Sequence, residues 1–595
     1  MTVPPPAARS IWLRASPDAV FGTFHDAASG PDSATAVLIV GPWGWDEITS
    51  YASRRAWAER LAADGHPTLR IDLPGIGDSA GTPGDPARLD AWTSAIGAAA
   101  AWLAARPGVD RVALIGLGLG GLVAGKAIAD GAPVDDLVLW AAPSRGRAFL
   151  REQRAFAALQ SDRYSVSGEP EPTVLPDGWL EVGGFVLAAE TIAAIAPLEL
   201  DQLPLGRLQR ALLLQREGLA RDAALEAHLA EAGVDVTAAP GPGWTDMVFH
   251  PEQYTPPAEV FDRVGRWLAG APVGRPRPVA VEAPETLDRL ELCLDGRPIR
   301  ETPVHIAQPF GQLFGLLAEP VDAPATPLCA VFLNGGAVRR VGPNRLWTEI
   351  ARDWTRRGVP TFRVDLEGIG DSDGDPRRYR DVANFYTPAY GAEVGAILDD
   401  LQARGLGPRF VLIGLCAGAY WAVNTAATDG RVIAALVVNP GAMVWDAGLL
   451  QRREAAKVGR LLQPSVWRRV ARGELGASRM VAVSRAVAGR AIKAAVRAAR
   501  RLTAAARSDA TGPATARLMD ALRDRGTRVV LGFSGDEPVY DELRSEGILA
   551  RMDEWPNAVL ETLPGRDHTV RPIVAQRAVH AMLGRELERL NRRYP

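Results

Sequence analysis

In the second half of the chain, short apolar, β-branched runs recur at 328–333, 361–364, 409–413, 433–438, 528–532 and 558–562. They are apolar at nearly every position rather than at alternate ones, which fits strands covered on both faces of a parallel sheet. Between them, 345–357, 390–404 and 417–429 carry the longer patterns of helices. Strand–helix alternation of this kind predicts a doubly wound α/β sheet. Residues 447–508 break the alternation. They hold no strand run and read as several Ala- and Arg-rich helices, inserted in the sheet order as a cap.

The pattern occurs twice. Residues 69–79 (LRIDLPGIGDS) match 362–372 (FRVDLEGIGDS) at an offset of 293, and Phe21-Gly22 matches Phe314-Gly315 at the same offset. The run 36–40 with Gly41 matches 330–334 with Gly335, and 112–120 matches 410–418. Ordered matches at nearly one offset are the mark of an internal duplication. The Pro-rich stretch around 271–285 reads as a linker. Copy one is then 10–270 and copy two 286–595. A length of 595 residues suits two such domains, each able to bury its own core.

Composition narrows the function classes. Three cysteines cannot staple a chain of this size, which favours a reducing, cytoplasmic setting. No apolar run is long enough to span a membrane, and no export signal stands at the start. A net charge of −3 excludes a general polyanion binder, and no nucleic-acid partner is expected. Charge is nevertheless uneven. Residues 447–508 contain 15 Lys and Arg against only Glu454 and Glu474. That excess exceeds what a solvated helix face needs. It points to an anionic partner: an acidic acyl or peptidyl carrier protein, coenzyme A, or an anionic membrane surface.

The candidate chemistry lies in copy two. Gly414-Leu-Cys416-Ala-Gly418 follows a strand run and opens a helix, the pattern of a nucleophile elbow with Cys as attacking residue. Glycines flank the nucleophile because its tight turn leaves no room for bulk. The Ala417 N–H and an N–H near Gly336, in the loop after 328–333, are the expected oxyanion donors. His568, in Leu-Pro-Gly-Arg-Asp-His-Thr after the last strand run, is the expected base. Asp536, in Ser-Gly-Asp-Glu-Pro after the preceding run, is the expected acid, with Asp567 as an alternative. A buried, inert Cys416 and a structural His568 are the bland alternative, but elbow, acid and base stand in the right order.

Copy two thereby resembles the α/β-hydrolase superfamily over nearly its whole length, through GLCAG, the loop D-x-x-G-x-G-D-S, the acid loop and the His loop. The resemblance implies Cys416 as nucleophile, Asp536 as acid and His568 as base. A Cys elbow is similar to that of the dienelactone-hydrolase branch. The run 335–345 with RVDLEGIGDSDG resembles bacterial hydrolase-like proteins of biosynthetic clusters. Copy one departs from the pattern. Gly118 stands where the nucleophile would be, Asp246 aligns with His568, and Gln215-Arg-Glu217 replaces the acid loop. Gly116, Gly118 and Gly121 also spell G-x-G-x-x-G, but the acid expected about 20 residues on is missing. A degenerate elbow is the better reading. The repeated Gly-Ile-Gly-Asp-Ser occurs in both copies, so it is assigned to the fold, as a tight loop after a strand.

The expectation is therefore a tandem α/β-hydrolase-like protein, with an inactive first copy and a second copy carrying a basic cap. The second copy would form an acyl-Cys intermediate from a thioester or ester and act as hydrolase, thioesterase or acyltransferase, without a cofactor. A non-catalytic docking protein and a simple ester or lactone hydrolase are the alternatives.

Overall fold

The computed structural model describes residues 8–27, 35–164, 175–272, 282–322, 326–446 and 513–594. The predicted cap at 447–508 lies outside the described residues. The strands of the first half are β1 (Arg9–Leu13), β2 (Val20–His25), β3 (Thr35–Val40), β4 (Thr68–Ile71), β5 (Arg111–Leu117), β6 (Asp136–Trp140), the hairpin β7 (Leu180–Val182) and β8 (Phe185–Leu187), β9 (Arg210–Gln215), β10 (Asp235–Pro240) and β11 (Thr286–Leu287). Those of the second are β12 (Leu290–Leu294), β13 (Arg297–Gln308), β14 (Gly311–Pro320), β15 (Leu328–Phe332), β16 (Thr361–Asp365), β17 (Arg409–Cys416), β18 (Val432–Pro440), β19 (Arg528–Phe533) and β20 (Ala558–Thr562).

They build two nine-stranded sheets, ordered β11-β1-β2-β4-β3-β5-β6-β9-β10 and β12-β13-β14-β16-β15-β17-β18-β19-β20. From β1 and β13 onward the two orders are the same. In each, an antiparallel entry of two strands leads into six parallel ones. The β15–β20 cores coincide with the predicted apolar runs. Helices cover both faces of each sheet, and each face has its own buried apolar cluster. That is why the parallel strands are apolar throughout rather than at alternate positions. Among the described residues, no helix is long and apolar enough to cross a membrane.

Two features depart from the sequence reading. The entry strand β13, which carries His305, is absent from the apolar-run pattern, because its half-exposed, Pro-containing sequence hides it. In addition, Thr286–Leu287, past the expected linker, pairs with Leu13 and Trp12 and so completes the first sheet.

The copies meet through their repeated loops, which make reciprocal contacts. In copy one Ser79 Oγ donates to Asp72 O and accepts from Phe21 N, and Asp78 N donates to Asp72. In copy two Ser372 Oγ donates to Asp365 O and accepts from Phe314 N, and Asp371 N donates to Asp365. Each loop then presents its second aspartate to the other copy. Arg70 pairs with Asp371 at 2.9 Å, and its counterpart Arg363 pairs with Asp78. Arg340 lies at the centre, fully buried. It reaches Asp78 at 2.6 Å, Asp365 at 2.7 Å and Asp371 at 2.8 Å, and stands over the rings of Phe314 and Phe21. Arg339 crosses to Asp72 and Glu47, while Arg345 and Arg352 bind backbone carbonyls of 77–79. Trp12, Phe21, Leu290, Phe314 and Leu316 close one shared apolar cluster. The Gly-Ile-Gly-Asp-Ser loop is thus a tight turn, as expected, and also the core of the contact between the copies.

Burial raises the cost of every charge in this network, so the balance of partners decides each group. Asp78 and Asp371, each facing several guanidiniums, are held well below the usual carboxylate range despite burial. Asp72 and Asp365, which also lie beside other carboxylates, are pushed up by burial that their arginines do not fully offset. The equivalent aspartates of the two loops thus shift in the same directions.

Candidate active site

The apolar strand β17 ends at Cys416, and the helix Ala417–Ala426 starts immediately after it. Cys416 has φ 56° and ψ −114°, a conformation that non-glycine residues rarely adopt and that often marks functional turns. A Cβ on Gly414 would stand 2.2 Å from Gly418 O, and one on Gly418 would stand 2.3 Å from Asn334 O. The two glycines are therefore required by the close approach of the loops, and they hold Cys416, partly exposed, at the helix N-terminus.

His568, in the loop after β20, stands close enough to Cys416 for the sulfur to raise its pKa. Its Nδ1 lies 2.9 Å from Glu537 Oε2. The expected acid, Asp536, is not in that position. Its φ of 64° turns its side chain outward, 69% exposed and 3.4 Å from Arg566. The same turn sends the next residue, Glu537, inward, where its side chain is only 3% exposed. Glu537 precedes Pro538, which confines it to extended backbone and starts the helix Pro538–Ser545. Its carboxylate caps no helix N–H. The alternative acid, Asp567, is also engaged elsewhere. It clamps Arg571 at 2.7 and 3.0 Å and accepts from Arg571 N, so it staples the His loop.

Burial opposes a charge on His568, but Cys416 and Glu537 together outweigh it and hold the imidazole pKa well above its usual value. The imidazolium is thus favoured beside the sulfur, as a thiolate–imidazolium pair requires.

Ala417, buried at the first turn of its helix, places its N–H beside the elbow. Gly336, at φ +60°, lies in the loop after β15. Asn334 fastens that loop: its Nδ2 donates to Val338 O and Asp365, and its Oδ1 accepts from Leu366 N. Asp365 also holds the N–H and guanidinium of Arg340. The loop carrying Gly336 is therefore continuous with the ion network between the copies.

The sequence reading missed Asn439. Fully buried at φ +42°, it donates to His568 O at 2.9 Å and to Ser534 Oγ at 3.0 Å, and accepts from Ser534 N. One side chain thus ties the His loop to the acid loop. Its sequence signal is only Asn-Pro-Gly after a strand, which equally describes an ordinary turn.

Copy one also reaches this region. Asn344 donates to Gly183 O of the β7–β8 hairpin, Gln576 to Gly184 O, and Ile573 N to Glu181. Arg571 stacks over Trp45. In copy one's own elbow, Gly118 keeps φ 52° and ψ −131° but has no side chain. Where its Cβ would be, Pro42 lies 3.0 Å away and the buried Trp244 3.7 Å away. Trp244 packs edge-on against Trp140 at 5.2 Å and fills the position of a base loop.

Residues 330–581 match the Alpha/beta hydrolase family. This stretch contains the elbow, Glu537 and His568. Several solved structures are similar to part of this chain. The structure of DcsB in complex with its substrate analogue is 17% identical, covers 44% of this chain and 99% of its own, and has a TM-score of 0.32. Est1E from Butyrivibrio proteoclasticus with bound ferulic acid is 16% identical, covers 43% and 97%, and also has a TM-score of 0.32. A dienelactone hydrolase from Anabaena variabilis is 14% identical, covers 48% and 95%, and has a TM-score of 0.29. Among curated proteins no sequence matches significantly.

Proposed function

We propose that copy two is a cysteine-dependent acyl-transfer enzyme acting on an acyl thioester or ester, and that copy one is its non-catalytic partner. The carrying observation is the chain of contacts Cys416–His568–Glu537 at a glycine-flanked elbow. In this reading His568 takes the Cys416 thiol proton, and the thiolate attacks the acyl carbonyl carbon. The oxyanion rests on the N–H groups of Ala417 and Gly336. Collapse breaks the bond to the leaving thiol or alcohol, which receives the proton from His568. Water, an amine or an alcohol then attacks the acyl-Cys carbonyl while His568 takes its proton. The S–C bond breaks, and Cys416 regains its proton. Glu537 keeps the His568 ring in place and favours the imidazolium, the role of the third member of a triad.

A Cys elbow suits transfer. Forming an acyl-Cys from a thioester donor exchanges one thioester for another, and a thioester favours amine acceptors more than an oxygen ester does. The 15 cations of 447–508, outside the described residues, support an anionic carrier, either an acidic acyl or peptidyl carrier protein or coenzyme A.

Intact-protein mass spectrometry tests the reading. Wild type and Cys416→Ala are incubated with small-thiol, coenzyme A and carrier-bound thioesters. A mass gain equal to the acyl group, absent in Cys416→Ala, is expected. No adduct and no thioester loss with either protein would favour a docking protein instead.

A further inference from the structure

The site of copy two contains a carboxylate that copy two does not supply. The segment 250–254 of copy one crosses the interface, where the Arg380 guanidinium holds Tyr254 O at 2.6 and 3.2 Å. This places Glu252 over the oxyanion loop: a Cβ on Gly336 would lie 2.8 Å from Glu252 Oε1. Glycine at 336 is therefore what admits the carboxyl. The side chain is 25% exposed, and its charge also reaches His568. Its ion-pair contact is with His250, 3.9 Å away. Burial and Arg571 hold His250 below its usual pKa, so it is a poor counter-charge. Among the described residues, no Lys or Arg pairs with Glu252.

The charge acting on Glu252 from the site is that of His568, which gives its proton to the leaving group. A carboxylate beside an oxyanion loop with no lasting counter-charge is unfavourable in an ordinary acyl transfer, because it repels the developing oxyanion. A cation bound between the two reverses the sign, since it attracts the carboxylate and the oxyanion together. Burial pushes the Glu252 carboxyl pKa up, and a cation beside it would favour the charged form again. We infer that Glu252 of copy one makes the catalytic site of copy two selective for substrates carrying a cationic nitrogen close to the scissile carbonyl. The inference rests on the acyl-transfer reading of Cys416. The nitrogen can belong to the acyl group or to the leaving group, and the carboxylate recognises the same chemistry in either.

Two isosteric pairs separate those sources. β-Alanyl and butyryl N-acetylcysteamine thioesters differ by an ammonium in the acyl group. Butyrylthiocholine and its 3,3-dimethylbutyl thioester analogue differ by a quaternary nitrogen in the leaving group. The quantity read is the ratio of kcat/KM, cationic over neutral, in the full-length protein. In wild type the ratio should reach about tenfold or more in one pair, collapse to near unity in Glu252→Gln, and survive in part in Glu252→Asp. A wild-type ratio near unity in both pairs, or a ratio that Glu252→Gln leaves unchanged, overturns the inference. Calorimetric binding of the same compounds to Cys416→Ala and Cys416→Ala/Glu252→Gln separates this from failure of the acyl-transfer reading. A cation preference lost with Glu252 supports the inference even where wild type turns nothing over, and no preference in Cys416→Ala overturns it.

Discussion

Gly118 and Cys416 stand at the same turn in two sheets of the same order, with φ 52° and 56°. Around that shared turn the chemistry differs at the nucleophile, at one oxyanion position and in the base loop. Cys416 has become Gly118, which cannot attack. Gly336, a candidate oxyanion donor, corresponds to Pro42, which has no N–H. Asn439, which ties the two late loops together, corresponds to Ala141, which keeps the positive φ (52°) without the amide. The base loop has given way to Trp244, packed against the empty elbow. What the copies do share, the R-x-D-x-x-G-I-G-D-S loop, is what joins them. Backbone geometry and chemistry are thus separable: the strained turn is present in copy one without a side chain that could attack.

Experiments that break the comparison rank by expected effect. Removing the nucleophile is the largest. Cys416→Ala should lower thioester turnover by about 10⁴-fold or more, as loss of a covalent nucleophile does elsewhere. Next comes the acid. Glu537→Gln should cost about 10²–10⁴-fold in kcat, by analogy with the third member of other triads. Asp536→Asn should cost less than about threefold, since its side chain is exposed and pairs with Arg566 rather than with His568. Steady-state kinetics on one thioester decides between the two carboxylates.

Separating the copies comes third. Arg340→Ala leaves Asp78, Asp365 and Asp371 buried without their shared cation. Breaking a buried ion network of this kind costs about 3–5 kcal/mol, to be read from denaturant unfolding. Asp365 also fastens the Gly336 loop through Asn334, so turnover should fall in the fraction that stays folded. Arg363→Met, which removes one partner of Asp78 while filling the space, should be milder.

Acid is a gentler way to the same end. Asp78, Asp371 and Glu301 all have folded pKa values below their ordinary ones. As pH falls through about 4.5 to 3.8, the unfolded chain takes up these protons and the folded one does not. Their stabilisation is therefore complete above that window and is lost progressively as the pH falls toward the lower folded values. Asp72 and Asp365 have raised values and act oppositely, adding stability at low pH and losing it as pH rises. Melting temperatures between pH 7 and 3 should fall in wild type, and fall less in Asp371→Asn, which has one depressed carboxylate fewer.

Much of this was legible in the sequence, and the limits have physical causes. The parallel strands announced themselves because both faces are buried. The entry strand β13 did not, because its exposed positions and prolines mask its period. Cys416 and His568 could be placed because glycine spacing and chain order are local signals. Glu537 could not be separated from Asp536: the choice depends on which of two adjacent side chains a positive-φ turn sends inward. Asn439 and Glu252 act across loops and across copies, and neither leaves a local pattern. The repeated aspartates were visible as a repeat, but only the assembled interface shows that each serves the other copy.

The smallest expected effect tests the comparison most closely. Gly118→Cys restores a thiol to copy one at a turn whose dihedrals match those of Cys416, so the backbone can accept it. Pro42, 3.0 Å from the new Cβ, must yield slightly, and a loss of about 1 kcal/mol in stability is expected. No catalysis should follow. In the Cys416→Ala background, Gly118→Cys should add no measurable thioester turnover, and the new thiol should react with iodoacetamide no faster than an ordinary cysteine. It faces Trp244 instead of an imidazole, and Pro42 offers the oxyanion no donor. Turnover from this double variant would mean that the sulfur and the turn suffice, and that His568, Glu537 and the Gly336 loop count for less than their geometry implies.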